Sequence, residues 1–295
     1  LSTATPSERN NIILEKCKPL VVIEPVTPAE NTFAVEQPYV NTETAMHYGV
    51  RYEPVSVLYY EWYYSTQIGE YGCIPHDKYS FLGASPDGIN IKRDNDRYGR
   101  MLEIKNPKSR KITGIPKPEY WVQMQLQMET CNLNQCDFLE THFTEYNSYN
   151  EFISDGDFQM SSDGYYKGII YHFKGQGKPH YEYMPFNATQ KEYEAWDKKV
   201  MLKNQDLEWL ETIFWKLDTV SCILVDRNKQ WFKDNINSIK EVWDTVLKER
   251  VTGYEHRKPK KRGCCNQPAI NVVKQDAVTT PVETIEPTQE SPHKV

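Results

Sequence analysis

The sequence predicts an α/β protein, an α+β mixed sheet flanked by helices, and three observations carry that expectation. Apolar residues recur at helical spacing near both ends of the chain and in a central stretch. Residues 71–106 instead break into short apolar runs separated by Gly, Pro and Asp, a strand-and-turn texture. Aromatic residues make up 13% of the 295, with 20 Tyr and 7 Trp, and such side chains reward packing into a core.

The elements follow in order. SERNNIILEKC (7–17) predicts a short helix with Ser7 as its N-cap, and Pro19, Pro25 and Pro28 then impose an extended connection. A longer helix is expected from about Asn41 through AMHYGVRYEPVSVLYYEWYY, with Met46, Val50, Val57 and Tyr60 facing a core and a kink at Pro54, just beyond Glu53. Strands are expected near 71–75, 80–83, 88–92 and 100–106, the last two joined by RDNDRYG as a hairpin. A helix over 118–131 precedes strands near 136–143, 168–173 and 180–184. Residues 189–217 and 229–250 read as two closing helices packed on the sheet. Residues 1–253 thus read as a single domain, with a core over about 41–185 and C-terminal helices over about 189–250. Residues 254–295, rich in Pro, Thr, Gln and charge, read as a disordered tail, and its KPKKR (258–262) as a solvated run in preference to a nuclear address or an extra DNA contact.

Several classes are disfavoured. No run of about 18 apolar residues is present and no charged-then-apolar leader opens the chain, so a soluble, intracellular protein without a membrane partner is expected. Seven cysteines without a CxxC pair read as reduced thiols. The net charge of −6 opposes a polyanionic partner, yet KNPKSRKITGIPK (105–117) carries Lys105, Lys108, Arg110, Lys111 and Lys117 without an acid, a local field opposite to the average.

The chemistry concentrates in SPDGINIKRDNDRYGRMLEIK (85–105). In MLEIK the period of two sends Leu102 and Ile104 to one face and Glu103 and Lys105 to the other, about 7 Å apart. Asp87 heads the preceding strand, where SPDG bends the chain, and pairing of the two strands would bring its carboxylate toward Glu103. Two carboxylates about 4 Å apart repel by roughly 4 kcal/mol at an effective dielectric near 20, a penalty that a divalent cation removes. Hard oxygen donors suit Mg2+, with Mn2+ as a substitute. Such a cation polarises a phosphodiester, and Lys105 beside it could orient or deprotonate water and stabilise developing negative charge. An isolated ExK is more often a solvated strand face. Here acid, turn, hairpin, ExK and a Gln-rich helix occur together, in the order a nuclease site requires.

GASPDGI (83–89), LEIKNP (102–107), IPKPEYWVQMQLQM (115–128) and the upstream HYGVRYEP (47–54) together resemble the lambda-exonuclease-like, or YqaJ-type viral recombinase, branch of the PD-(D/E)xK nucleases over roughly residues 7–185. That resemblance implies a restriction-endonuclease-like core and a magnesium-dependent exonuclease on linear double-stranded DNA. It implies 5′-to-3′ polarity, service in viral or phage recombination, repair or genome processing, and residence in host cytoplasm or nucleus. It makes Asp87, Glu103 and the backbone carbonyl of Ile104 metal ligands, Lys105 the catalytic lysine, Glu53 a helix acid near a metal-bound water or second ion, and Gln125 the helix glutamine that orients the site. Ser85, Lys108, Arg110, Lys111 and Gln123 are the corresponding DNA-binding candidates. On the helix itself Tyr120, Met124, Met128 and Cys131 form one apolar stripe, with Gln125 toward its edge. A homo-oligomer and a single-strand-annealing partner are further implied possibilities. Some such nucleases hold an iron–sulfur cluster, but four suitably spaced cysteines are not evident. The family's Arg- and Ser-bearing segment for the DNA 5′ phosphate does not precede residue 7, so the sequence is expected to be a fragment or to grip DNA ends differently. The competing readings are a nuclease-fold module that binds DNA or protein without cutting, and a structure-specific endonuclease.

Overall fold

In the computed structural model, which describes residues 5–19, 40–175 and 178–259, helix α1 spans Pro6–Cys17. Its N-cap is Thr5 rather than the expected Ser7: the Thr5 hydroxyl accepts from the Glu8 backbone N–H while Glu8 reaches back to Thr5, a capping box with Pro6 at the first helical position. Helix α2 spans Ala45–Tyr63 and continues through Pro54. Of the four positions expected to face the core, Tyr60 is buried and Val57 packs against it, while Met46 and Val50 do neither. Met46 is 83% and Val50 57% exposed, and the core is met by Tyr48, Tyr52, Val55, Tyr59 and Tyr60. With so many tyrosines in the stretch, either of two helical faces satisfies an apolar count, and the larger aromatic area wins.

Strands β1 (Ile68–Gly69), β2 (Ile74–Pro75), β3 (Gly83–Ala84), β4 (Gly88–Asn90) and β5 (Met101–Lys105) follow. β2 and β3 form a separate two-stranded ribbon, whereas β4 and β5 form the expected hairpin with Gly88 opposite Leu102. Helix α3 (Pro118–Thr130) crosses over to β6 (Gln135–Tyr146), which pairs with β5 in parallel. Then come α4 (Tyr149–Ser154), β7 (Tyr166–Phe173), β8 (His180–Tyr183), α5 (Gln190–Lys203), β9 (Trp209–Asp226) and α6 (Lys229–Thr252). The seven-stranded mixed sheet has the order β1-β4-β5-β6-β9-β7-β8 and helices on both faces, as the fold class requires.

The largest correction concerns 189–217, expected as one helix. The helix ends at Lys203, and Trp209–Asp226 is an 18-residue strand inserted between β6 and β7. Glu211, Lys216 and Asp218 mimic a charged helix face, but Ile213, Trp215 and Leu217 alternate inward. Within the expected tail, Glu255–Arg257 forms a helical turn held by Arg257 on Glu249 and Asn10, so these residues are ordered. The rest of that tail, the proline-rich connection and most of KPKKR lie outside the described residues.

Two packed faces position the site. Leu102 and Ile104 join the aromatic face of α2, and Met101 packs with Met124, Met128 and Phe138 beneath α3. Glu103 and Lys105 therefore point to the α3 side, as strand alternation requires. Among the described residues no helix is long and apolar enough to cross a membrane.

Candidate active site

The polar groups collect where β5 ends beside its parallel partner β6 and where the chain enters β4, next to α2 and α3. Asp87 precedes β4, and its carboxylate Oδ2 accepts from the Ile104 backbone N–H at 2.6 Å. The N–H and C=O of one residue leave a strand on the same edge. The Ile104 carbonyl therefore also faces the Asp87 side, beyond the last β4–β5 partner pair at Gly88 and Leu102.

Glu103 is 0% exposed, and three contacts, one from each of three side chains, fix its carboxylate. Gln123 donates to Oε1 at 2.7 Å, Gln127 donates to Oε2 at 2.9 Å, and Lys105 makes a close ion pair with Oε1. The Gln127 amide nitrogen also reaches the Ser85 carbonyl at 3.4 Å, tying α3 to the SPDG turn. Ser85 itself is exposed. Gln127 was absent from the expected set, although its i,i+4 relation to Gln123 puts both on one helix face.

Gln125 lies two residues, about 200°, around the helix from either. Its amide donates to the Asp226 carbonyl at 3.0 Å and accepts from the Asn228 N–H at 2.6 Å, joining α3 to the end of β9 and the start of α6. The structure thus corrects its expected place: Gln125 is turned away from Glu103, and Gln123 with Gln127 occupies that position.

Electrostatics follow from crowding. Burial pushes the Asp87 carboxyl up to about 7, and the Glu103 charge adds to that against the Ile104 hydrogen bond and Lys105. Burial opposes the Lys105 ammonium, but Glu103 and Asp87 outweigh it and hold its pKa above the ordinary lysine value. Desolvation also raises Glu53; Lys105 opposes that rise, and Glu103 and Glu70 add to it. Glu53 lies on α2 and shares with Ser85 and Asp87 the lining of one cleft of about 700 Å³. One turn on from Glu53, the Ser56 hydroxyl meets Thr141 at 2.7 Å and Asn106 at 2.8 Å, fastening α2 to the end of β5 and to β6.

The basic segment divides. Arg110 Nη2 pairs with the buried Glu140 at 2.5 Å, so the expected DNA contact is engaged inside the protein. Lys108 and Lys111 are exposed, and Lys108 touches the Glu43 carbonyl at 3.3 Å. Lys105, Arg110 and Lys117 all lie over the Tyr120 ring, at 5.4, 5.7 and 5.8 Å from its centroid, which brings this stretch beside the site.

Among the described residues no three His, Cys, Asp or Glu side chains converge on one metal position. The donors present are two carboxylates that repel each other and a carbonyl on the open strand edge, an all-oxygen set that fits a hard divalent cation.

With this geometry in view, comparison with known proteins identifies the segment that carries it. Residues 3–134 match the YqaJ-like viral recombinase domain. The match contains α2, the β4–β5 hairpin and α3, hence Glu53, Asp87, Glu103, Gln123, Gln125 and Gln127, and it ends immediately before β6. Over 237 residues the chain is 28% identical to the uncharacterized protein R354 of Acanthamoeba polyphaga mimivirus, covering 68% of this chain and 43% of that relative. The chain therefore spans less than half the length of this viral relative. Among solved structures, the alkaline exonuclease LHK-Exo of Laribacter hongkongensis aligns at 19% identity, covering 74% of this chain and 73% of that one with a TM-score of 0.36. The same enzyme in complex with dAMP aligns at 18%, covering 75% and 74%, also with a TM-score of 0.36.

Proposed function

We propose that the chain is a magnesium-dependent deoxyribonuclease acting on linear double-stranded DNA, with Asp87, Glu103 and the Ile104 carbonyl as metal ligands and Lys105 as the catalytic lysine. The observation that carries this reading is a pair of repelling carboxylates, buried Glu103 on β5 and half-buried Asp87 before β4, with an ammonium at their side. The YqaJ-like match over the same residues supports it. The 5′-to-3′ polarity, a role in viral recombination or repair, a single nuclease domain over 1–253 and a single-strand-annealing partner belong to the same proposal.

A divalent cation at this site supplies Lewis acidity toward the scissile phosphate. The protein supplies the rest. Gln123 and Gln127 hold the Glu103 carboxylate in one orientation, so its oxygens need no reorganisation when substrate arrives. Lys105, charged at neutral pH by its neighbours, stabilises negative charge developing on the phosphate oxygens. Glu53, across the cleft, accepts a hydrogen bond from the attacking water and aligns it. Exposed Lys108 and Lys111 contribute phosphate contacts that guide the strand.

The test is incubation of the protein with linear and covalently closed circular duplexes in magnesium. Degradation confined to the linear form is expected. Equal attack on both would make the enzyme an endonuclease, and attack on neither, with DNA still bound, would make it a binding module.

A further inference from the structure

We propose that Asn106 is a positioning residue for the cleavage step: it fixes the turn of α2 that carries Glu53 against the end of β5 that carries Lys105. This rests on the reading of the chain as a DNA-cutting enzyme and names what sets the spacing between two groups of its site.

Asn106 directly follows Lys105, and its amide has one favourable orientation. Nδ2 donates to the Gly49 carbonyl at 3.2 Å, while Oδ1 accepts from the Ser56 hydroxyl at 2.8 Å and from the Thr141 hydroxyl. A carbonyl only accepts, so a flipped amide would set two acceptors against each other. Gly49, Glu53 and Ser56 stand at i, i+4 and i+7, along one face of α2. The Gly49 carbonyl points toward the helix C-terminus and the Ser56 side chain leans toward the N-terminus, so both converge on the turn of Glu53. One side chain at the end of β5 thus grips the helix before and after that glutamate. Other polar ties of α2 lead elsewhere: Arg51 and Tyr52 to Glu145 on β6, Tyr60 to Asp137 on β6, and His47 to Tyr181 on β8.

Of the two elements, the strand is the fixed one. Lys105 closes the β5–β6 ladder opposite Glu140, and its ammonium pairs with the buried Glu103. Helix α2 rests on the sheet through Tyr52, Val55, Tyr59 and Tyr60. Apolar contact is non-directional, so it tolerates a small slide or rotation of the helix, and directional bonds must set the register. Ser56 and Thr141 are both 0% exposed, so Asn106 Oδ1 serves two hydroxyls that water does not reach. A shift of α2 by about 1 Å would move Glu53 from its water and cost up to about 100-fold in rate, with the groups on the sheet undisturbed.

The experiment measures kcat and KM on linear duplex DNA for the full chain, Asn106→Ala, Glu53→Ala and the double variant. Magnesium affinity by calorimetry and amide hydrogen exchange are measured on the same preparations. Asn106→Ala should lower kcat about 10- to 100-fold, with KM and magnesium affinity within about twofold of the parent. Exchange should quicken over residues 45–63 and stay unchanged over 101–105. In the Glu53→Ala background the same substitution should cost no further factor in kcat. Ser56→Ala, which places a strong helix former at that position, should lower kcat about 2- to 10-fold with the same dependence on Glu53. It decides the matter if Asn106→Ala does not fold. A parental kcat, equal losses in both backgrounds, magnesium affinity falling in step with kcat, or unchanged exchange over α2 would each overturn the inference while the nuclease reading stands. If the parent cuts no DNA, the nuclease reading falls and the inference falls with it.

Discussion

The Asp87 carboxylate is held at 2.6 Å by the backbone N–H of Ile104, the residue between Glu103 and Lys105. One hydrogen bond thus sets the first acid against the strand that carries the second acid and the lysine. It also partly offsets burial and the Glu103 charge, which push the Asp87 carboxyl up to about 7.

Asp87→Asn keeps the shape and removes the charge. Cleavage should fall by at least about 1000-fold, the scale on which loss of a group central to transition-state stabilisation is felt. Metal-free stability at pH 8 should rise, since a repelling buried charge is gone. The activity assay and a thermal melt on one preparation check both, and a wild-type rate would remove Asp87 from the site.

The pH dependence has a definite sign. An unfolded aspartate titrates near 3.9, so between about 4 and 7 the unfolded chain has released the Asp87 proton and the folded chain retains it. The folded state then binds more protons, and this group's contribution to stability declines as pH rises through that window. Saturating magnesium should flatten the decline and release a proton on binding. Melts across pH 5 to 8 with and without magnesium, beside Asp87→Asn as a flat reference, measure it.

The two buried glutamines should fail differently. Gln127→Ala loosens the Glu103 carboxylate and should lower activity or metal affinity about 10- to 100-fold while the protein stays folded. Gln125→Ala removes two buried hydrogen bonds between α3 and the β9–α6 junction. It should cost about 1–3 kcal/mol of stability, with the specific activity of folded molecules retained. Urea titration and initial rates on both variants separate the roles.

The basic stretch should split in the same way. Arg110→Ala strands the buried Glu140 carboxylate and should destabilise by about 3–5 kcal/mol. Lys111→Ala should leave folding intact and reduce the slope of log DNA affinity against log salt by about 1. Salt-dependent binding isotherms beside a denaturation curve test the pair.

The site was legible where local geometry decides it. Alternation in MLEIK puts Glu103 and Lys105 on one face, and the SPDG turn with its hairpin brings Asp87 alongside. Gln125 was misplaced because its neighbourhood holds three glutamines at alternate positions, and the choice among them depends on the rotation of α3 over the sheet, a property of Met124 and Met128 packing on Met101 and Phe138. Gln123 and Gln127 had a usable signal in their one-turn spacing. Arg110 looks like a DNA contact in sequence because Glu140, its partner, is 30 residues away on another strand. In β9 the β-branched residues Thr212, Ile213, Thr219, Val220, Ile223 and Val225 favour a strand, but charges at helical intervals masked them.

The position of β9 between β6 and β7 bears on how the chain can be dissected. A fragment ending at residue 134 would hold all the acids and the lysine yet leave β5 as a bare sheet margin, its ladder groups offered to any passing strand. Extending it through β6 only moves that margin outward, since β6 is satisfied by a segment some 70 to 90 residues later. The residues of the proposed site are local in sequence, but the sheet edge that carries them is covered from the other end of the protein.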